Sequence, residues 1–510
     1  MSEASPLPPA KGSAARVLAR GLGLPLVAGA ACVLGFAPFY AWPVPIAMLA
    51  ILFHLVVTSG TPLRAGLTGF AFGLGYFLAG VSWIYVSLHV YGAMPAPLAA
   101  IATFLVCAYC AFFPAAASWA ALRWGGSRAG PQLMLAAAAW VVFEWLRGWL
   151  FSGFPWLTVG TSQVPSSPLA GFAPLGGAYG TSLAVTLAAA LLAALFQSFA
   201  LSRARYRVLA AIAVLFIAGA VGRALTWSSP AGEPITVALL QGNVPQQLKW
   251  LEETRAKTLT DYRRMVLEAK ARVIVLPETA LPAFLDELPR EYLEGLREHA
   301  RRNGGDILMG TVERDFRGRA FDYYNSVVSV TDPAQRAYRK RHLVPFGEYI
   351  PPGFRWIIAV LKIPLSDFAV PTGKPELVMA GGRRFGVAIC YEDIFGEEVI
   401  ELLPAAEILL NVSNDAWFGE SFAADQHLQA SQMRALETGR WMVRSTNTGV
   451  TAAIDERGRV VARLPLFTAG TLVQRVEPRS GTTPYVLWGN WAAMLAAGVL
   501  AAAALRAARR

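Results

Sequence analysis

Three side chains able to carry out an acyl transfer occur in the order carboxylate, amine, thiol. Glu278 closes the run "VIVLPE", Lys340 sits in "YRKRHLVPFGEY", and Cys390 ends "GVAIC" directly before Tyr391, Glu392 and Asp393. Each follows a strand-like or extended segment. The end of a buried strand lies at the rim of a sheet, where loops build sites. A cysteine attacks as thiolate, so it needs a base or a cation nearby. A carboxylate takes the thiol proton when burial or a like charge raises its proton affinity. A lysine, helped by a backbone N–H, can hold the oxyanion of a tetrahedral intermediate. On the residues alone two other readings stay open: Cys390 as a buried core cysteine, and a Cys–His dyad using His342 or His427.

The elements that must position these groups are legible between residues 230 and 480. Strand candidates are 235–243, 271–279, 306–312, 325–331, 385–392, 406–414 and 449–455. Helix candidates are about 251–270, 290–303 and 424–440. Continuous apolar strands imply a sheet covered on both faces, hence an α/β or layered α+β sandwich. No GxxxxGK[ST] occurs and no GxGxxG follows a strand, so a nucleotide cofactor is not indicated.

The rest of the chain is of another kind. The 510 residues are 55% hydrophobic and 15% charged, too apolar for ordinary globular domains. Eight stretches approach the roughly 20 apolar residues that a membrane span requires. They lie at roughly 21–39, 43–60, 66–88, 95–122, 131–151, 178–201, 207–226 and 485–505. Residues 1–229 hold eleven Lys/Arg and two acidic residues, whereas 230–480 nets −1. The basicity thus belongs to the apolar ends, which argues against a nucleic-acid binder. With the N-terminus in the cytoplasm, twelve Lys/Arg fall in cytoplasmic segments and only Arg147 in the opposite short loops. Residues 230–480 are then expected on the outer side, the periplasm of a bacterium. Four cysteines, three of them in apolar runs, make no disulfide framework. Cys107 and Cys110 read as small apolar helix residues. Glu144 and Arg147 are expected to form a structural ion pair, with contact to a lipid headgroup as the alternative.

"LPET" at 276–279, "KRHLVPFGEYIP" at 340–351 and "CYED" at 390–393 together resemble the nitrilase superfamily, whose αββα sandwich carries a Glu–Lys–Cys triad. "QGNVPQQLKW", "HLVPFGEY", "NVSNDAWFGES", "HLQASQMRALETGR" and "RSTNTGVTA" are similar to the apolipoprotein N-acyltransferase family. The resemblance implies seven helices in 1–229, a periplasmic nitrilase-like domain in 230–481, and an eighth helix with a basic tail in 482–510. It implies Cys390 as nucleophile, Glu278 as general base and Lys340 as oxyanion holder, with Trp250, Glu348, Tyr391 and Glu392 in support. It further implies a phospholipid acyl donor, a diacylglyceryl apolipoprotein acceptor, an inner-membrane monomer, and no metal or cofactor. Two rivals are a membrane-tethered hydrolase of small amides and a transporter with a non-catalytic outer domain. The run Pro352–Phe368, apolar and following "HLVPFGEY", is expected to be a lid that dips into the membrane.

Overall fold

The computed structural model describes residues 11–197, 203–317, 320–351, 353 and 367–510. Eight helices fall on the eight apolar stretches: Lys11–Cys32, Pro43–Val57, Pro62–Val81, Ala96–Trp124, Ala129–Arg147, Ala173–Gln197, Arg203–Ala224 and Trp491–Ala508. Among the described residues, five helices are long and apolar enough to cross a membrane, or six if Pro62–Val81 and Ile84–Tyr91 form one span bent by 56°. The apolar stretches Gly21–Gly35 and Pro43–Val57 are shorter. Small residues let these helices touch through their backbones. A Cβ on Gly29 would lie 1.9 Å from Phe72 O, and one on Gly75 would lie 2.0 Å from Leu26 O. Only glycine permits that approach.

Residues 148–172 connect two of these helices without regular structure beyond short 3₁₀ turns at Leu150–Ser152, Val159–Gln163 and Pro168–Phe172. Their backbone is pinned from below. Glu144 and Arg147 are buried and each bonds to this connector: Glu144 Oε1 accepts from Val159 N (2.8 Å), and Arg147 donates to Trp156 O (2.8 Å) and to Phe154 O. A lone carboxylate and guanidinium in an apolar run thus have a structural use, but it is bracing a loop.

Ser228–Pro230 pairs with Arg479–Gly481 as a separate two-stranded sheet, and residues 235–476 fold as two six-stranded sheets packed face to face. One runs in the order Gly470–Val476, Ile235–Gln241, Val273–Leu276, Asp306–Arg317, Ala320–Ser329, Tyr338–Arg339. The other runs Val460–Arg463, Ala452–Ile454, Met442–Thr446, Ile408–Ser413, Arg383–Ile389, Val378–Ala380. The central strands of both are parallel and buried on both faces, and most are apolar, with Met442–Thr446 as the polar exception. Between the sheets lie Val237, Leu239, Val275, Leu308 and Val327 against Phe385, Val387, Ile389, Leu410 and Val443.

Each sheet carries a helical layer outside. Glu252–Glu268 and Arg290–Arg302 cover the first through Tyr262, Met265, Val266 and Leu296, which meet Leu240, Ile274 and Met309. Ala423–Thr438 covers the second. Its far side is sealed by the helical region: Met433 and Leu436 pack on Val164, Ala170, Ala173 and Ala178. The sandwich is therefore αββα, with one layer facing outward and the other wedged against the apolar helices. Most of the expected lid, 352 and 354–366, lies outside the described residues.

Candidate active site

Parallel strands of the two sheets deliver their C-terminal ends to one rim. Val273–Leu276 leads through Pro277 to Glu278, and Arg383–Ile389 leads to Cys390. Tyr338–Arg339, on the edge of the first sheet, leads to Lys340, whose backbone N donates to Asn325 O (2.8 Å). Side chains 62 and 50 positions apart in sequence converge here.

Glu278 is 7% exposed and fully engaged. Its Oε1 accepts from Asn325 Nδ2 (2.7 Å) and its Oε2 from Asn414 N (2.8 Å). Lys340, 1% exposed, sets Nζ 3.7 Å from Glu278 Oε1 and donates to Glu348 at 2.8 Å. Burial works against its charge, but Glu348 and Glu278 outweigh that and hold its pKa above the usual lysine value. This lysine is a fixed cation.

Cys390 is half-buried and adopts φ +53°, a left-handed conformation uncommon outside glycine. Burial, then the charge of Glu278, raise the thiol's pKa well above its ordinary value, while Lys340 opposes them. Cys390 is thus held as a neutral thiol, with the Glu278 carboxylate and the Lys340 ammonium as the opposing charges that act on it.

Glu392 ties the rim together. Its carboxylate accepts from Ile389 N (2.7 Å), Tyr338 Oη (2.9 Å), Arg341 N (2.6 Å) and His342 N (3.2 Å). It therefore joins the strand before the cysteine to the turn after the lysine. Burial pushes it up to about 7 against these bonds. Glu348 does the same for the lysine turn, accepting from Val344 N (2.9 Å) and Asn325 Nδ2 (3.1 Å) as well as from Lys340. Tyr391 points away from the cluster. Its hydroxyl donates to Gly153 O (3.1 Å), in the connector from the helical region. Trp250 stands apart at the surface, 39% exposed, next to Lys249, whose ammonium donates to Thr279 Oγ1 (2.7 Å).

Both candidate histidines are engaged elsewhere. His342 pairs with Glu398 (2.6 Å) and stacks on Phe395. His427 faces the carbonyl oxygen of Cys390 (3.1 Å), Asp393 and Asp415. Asn325, Asn411 and Asn414 are site residues that the strand patterns did not single out. Asn411 and Asn414 lie inside "NVSNDAWFGES", and Asn325 opens "NSVVSVT". In both places an amide in a buried strand or at its end is the available signal, since such a group requires partners.

The sequence falls into two matched regions. Residues 28–191 match the apolipoprotein N-acyltransferase N-terminal domain, and residues 236–485 match carbon-nitrogen hydrolase. The chain is 50% identical over 466 residues to an apolipoprotein N-acyltransferase of Nitrosomonas europaea, covering 91% of this chain and 92% of that protein. The chain belongs to the apolipoprotein N-acyltransferase family. Relatives of the same name in Methylococcus capsulatus and Chromobacterium violaceum are each 44% identical over 484 residues, covering 94% of this chain and 94% and 92% of theirs. The apolipoprotein N-acyltransferase match thus spans both the apolar helices and the sandwich, and the Glu–Lys–Cys rim lies within the carbon-nitrogen hydrolase region.

Proposed function

We propose that the protein transfers a fatty acyl chain from a membrane phospholipid, through a thioester on Cys390, to the N-terminal α-amino group of a diacylglyceryl-cysteine apolipoprotein. The convergence of Glu278, Lys340 and Cys390 at one buried rim carries this reading, together with family membership over nearly the whole chain.

Two half-reactions follow from this reading. Glu278 takes the thiol proton as Cys390 sulfur attacks the ester carbonyl of the donor, phosphatidylethanolamine being the proposed one. Lys340 and the Tyr391 backbone N–H hold the oxyanion. The intermediate collapses, the lysophospholipid alkoxide takes the proton from Glu278, and the thioester remains. The acceptor's neutral α-amino nitrogen then attacks the thioester carbonyl. Glu278 takes a proton from that nitrogen and returns it to the departing sulfur, which regenerates the thiol and releases the amide. Glu348 and Glu392 keep the lysine and cysteine turns in register, and Trp250 is assigned to the substrate side. Every proton moved has a residue that carries it, so the reaction runs without metal or cofactor.

The eight helices are read as eight spans, seven in 1–229 and one in 482–510, around a catalytic domain at 230–481. The Lys/Arg distribution supports both termini in the cytoplasm and the catalytic domain in the periplasm; residence in the bacterial inner membrane and a monomeric state are read from the family. A single cysteine in the outward domain suits an oxidising compartment, where a second would invite pairing. The test is mass spectrometry of the purified protein after incubation with phospholipid. An acyl adduct on Cys390 that disappears when a diacylglyceryl peptide is added is the expected result. An adduct that water removes as fast as the peptide does would point to a hydrolase.

A further inference from the structure

Behind the nucleophile lies a second cluster of charge that the two half-reactions leave unused. His427, Asp393, Asp415, Ser431 and Arg444 are all at most 2% exposed. His427 Nε2 is 2.7 Å from Asp393 Oδ1 and 3.1 Å from Cys390 O, and its Nδ1 is 2.9 Å from Asp415 Oδ1. Arg444 donates to Asp393 Oδ2 (3.2 Å) and Asp415 Oδ2 (2.8 Å), and its Nη2 also stands 2.7 Å from His427 Nδ1, so the two aspartates must offset the guanidinium for the ring to stay protonated. Two carboxylates thus face one guanidinium. Buried charges persist when they are balanced, and here only a protonated His427 completes the balance. Burial and Arg444 lower the pKa of His427, but Asp393 and Asp415 outweigh them and push it up to about 9. Burial would raise the two aspartates, yet His427 and Arg444 hold both below the usual range.

The cluster acts on the backbone of Cys390. A left-handed conformation at a non-glycine residue is maintained only where its surroundings enforce it. The Cys390 carbonyl is held by two donors, Asn411 Nδ2 (3.2 Å) and His427. The histidine ring is in turn backed by Trp156 of the connector, with ring centroids 5.6 Å apart.

We propose that His427 is a positioning residue for Cys390: as an imidazolium neutralising Asp393 and Asp415, it donates to the Cys390 carbonyl and holds the strained elbow that turns the thiol toward Glu278 and Lys340. This rests on Cys390 being the nucleophile. His427→Gln keeps a donor of similar reach and removes the positive charge. Its single-turnover acylation of Cys390 from phospholipid is expected to fall at least tenfold, with an unchanged dependence on phospholipid concentration. His427→Gln combined with Asp393→Asn removes one charge of each sign and is expected to recover at least a third of the wild-type rate. In wild-type protein carrying ¹⁵N-labelled histidine, one of the five histidines should still show imidazolium shifts at pH 8. That measurement stands even if the variants fail to fold. His427→Gln charging at the wild-type rate, a double variant no faster than the single one, or five neutral histidines at pH 8 would each overturn the assignment. If wild-type protein takes no acyl group on Cys390 at all, the proposed function fails instead.

Discussion

The two helical layers of the sandwich have the same role in the fold and opposite surroundings. Glu252–Glu268 buries four of its 17 residues, whereas Ala423–Thr438 buries 14 of its 16. The first layer presents ion pairs outward, Lys257–Asp261 and Arg264–Glu268 among them. The second spends its polar residues inward. Gln426 accepts from Trp156 Nε1 (2.7 Å), Gln429 accepts from Ala37 N (2.9 Å) and donates to Val164 O (3.0 Å), and Arg434 pairs with Glu437. Glu278, Lys340 and Cys390 hang from both sheets, but the cysteine elbow with His427 and Tyr391 belongs to the sealed side. The difference teaches that the helical region is part of the candidate site's scaffold: through Gly153 and Trp156 it touches Tyr391, the residue after Cys390, and His427 behind it. Damage on the sealed side should therefore reach the chemistry, and damage on the outward side should not.

The largest expected effect is at the rim itself. Cys390→Ala should abolish acyl-enzyme formation, and Glu278→Gln should do the same because the thiol keeps its proton. Lys340→Ala should still bind donor but lose oxyanion stabilisation, about 3–4 kcal/mol or a factor of 10²–10³ in the charging rate. Quenched-flow charging with labelled phospholipid reads all three. Wild-type charging in any of them would show that the convergence of these residues is packing and not chemistry.

Next comes the seam. Gln429→Ala leaves the Ala37 N–H and the Val164 carbonyl buried without their partner, at about 1–3 kcal/mol for each unsatisfied group. Thermal unfolding in detergent should show a clear loss of stability. Hydrogen exchange should show the loosening first along 423–438 and only later along 252–268. Uniform loosening of both layers would erase the distinction between them.

The sequence reading reached much of this and stopped at an identifiable point. Strands 235–241, 273–276, 383–389 and 408–413 and helices 252–268 and 290–302 were expected nearly where they lie, because buried parallel strands and an outward amphipathic face leave patterns of their own. The short strands Met442–Thr446 and Val460–Arg463 were missed: "MVRST" and "VVAR" carry arginines that break an apolar run, and Arg444 is buried only because Asp393 and Asp415 meet it. Helix 423–438 was found as a helix, but "DQHLQASQMRALET" gives no sign that its polar side faces protein. That information sits in the partners, Ala37, Gly80, Trp83, Trp156 and Val164 among them. The three candidate reacting residues were nominated by type and strand ends, and the family resemblance chose them over a core cysteine or a Cys–His dyad. Asn325 and Asn414 were not, because an amide becomes informative only when the carboxylate it holds is known. Glu144 and Arg147 were expected to pair with each other; each instead bonds to the backbone of the connector, which has no periodic pattern to read.

A pH test sharpens the comparison further. Burial raises Glu392 from its ordinary value to about 7. The folded protein then holds a proton that the unfolded chain has released, so this group's contribution is full below about 4.5 and is lost as pH rises to about 7. Glu392→Gln removes that dependence. Between pH 4.5 and 7 the variant's midpoint of thermal unfolding should decline less steeply than the wild type's. Parallel curves would mean that Glu392 keeps its charge throughout, supported by its four donors.

The smallest effect is expected on the outward layer, and its smallness is the point. Lys257 and Asp261 form an (i, i+4) pair on 252–268, with side chains 76% and 37% exposed. Exposed pairs of this kind contribute about 0.3–0.5 kcal/mol, because water screens the attraction and two long side chains must be ordered to make it. Lys257→Ala should therefore shift stability by no more than about 0.5 kcal/mol and leave charging of Cys390 unchanged. The nearest buried residues of that helix are Thr258 and Tyr262, and Tyr262 packs on Leu240 and Ile274 of the first sheet. A loss of about 2 kcal/mol or more would mean that something covers this face as the helical region covers the other, and the two layers would then be alike.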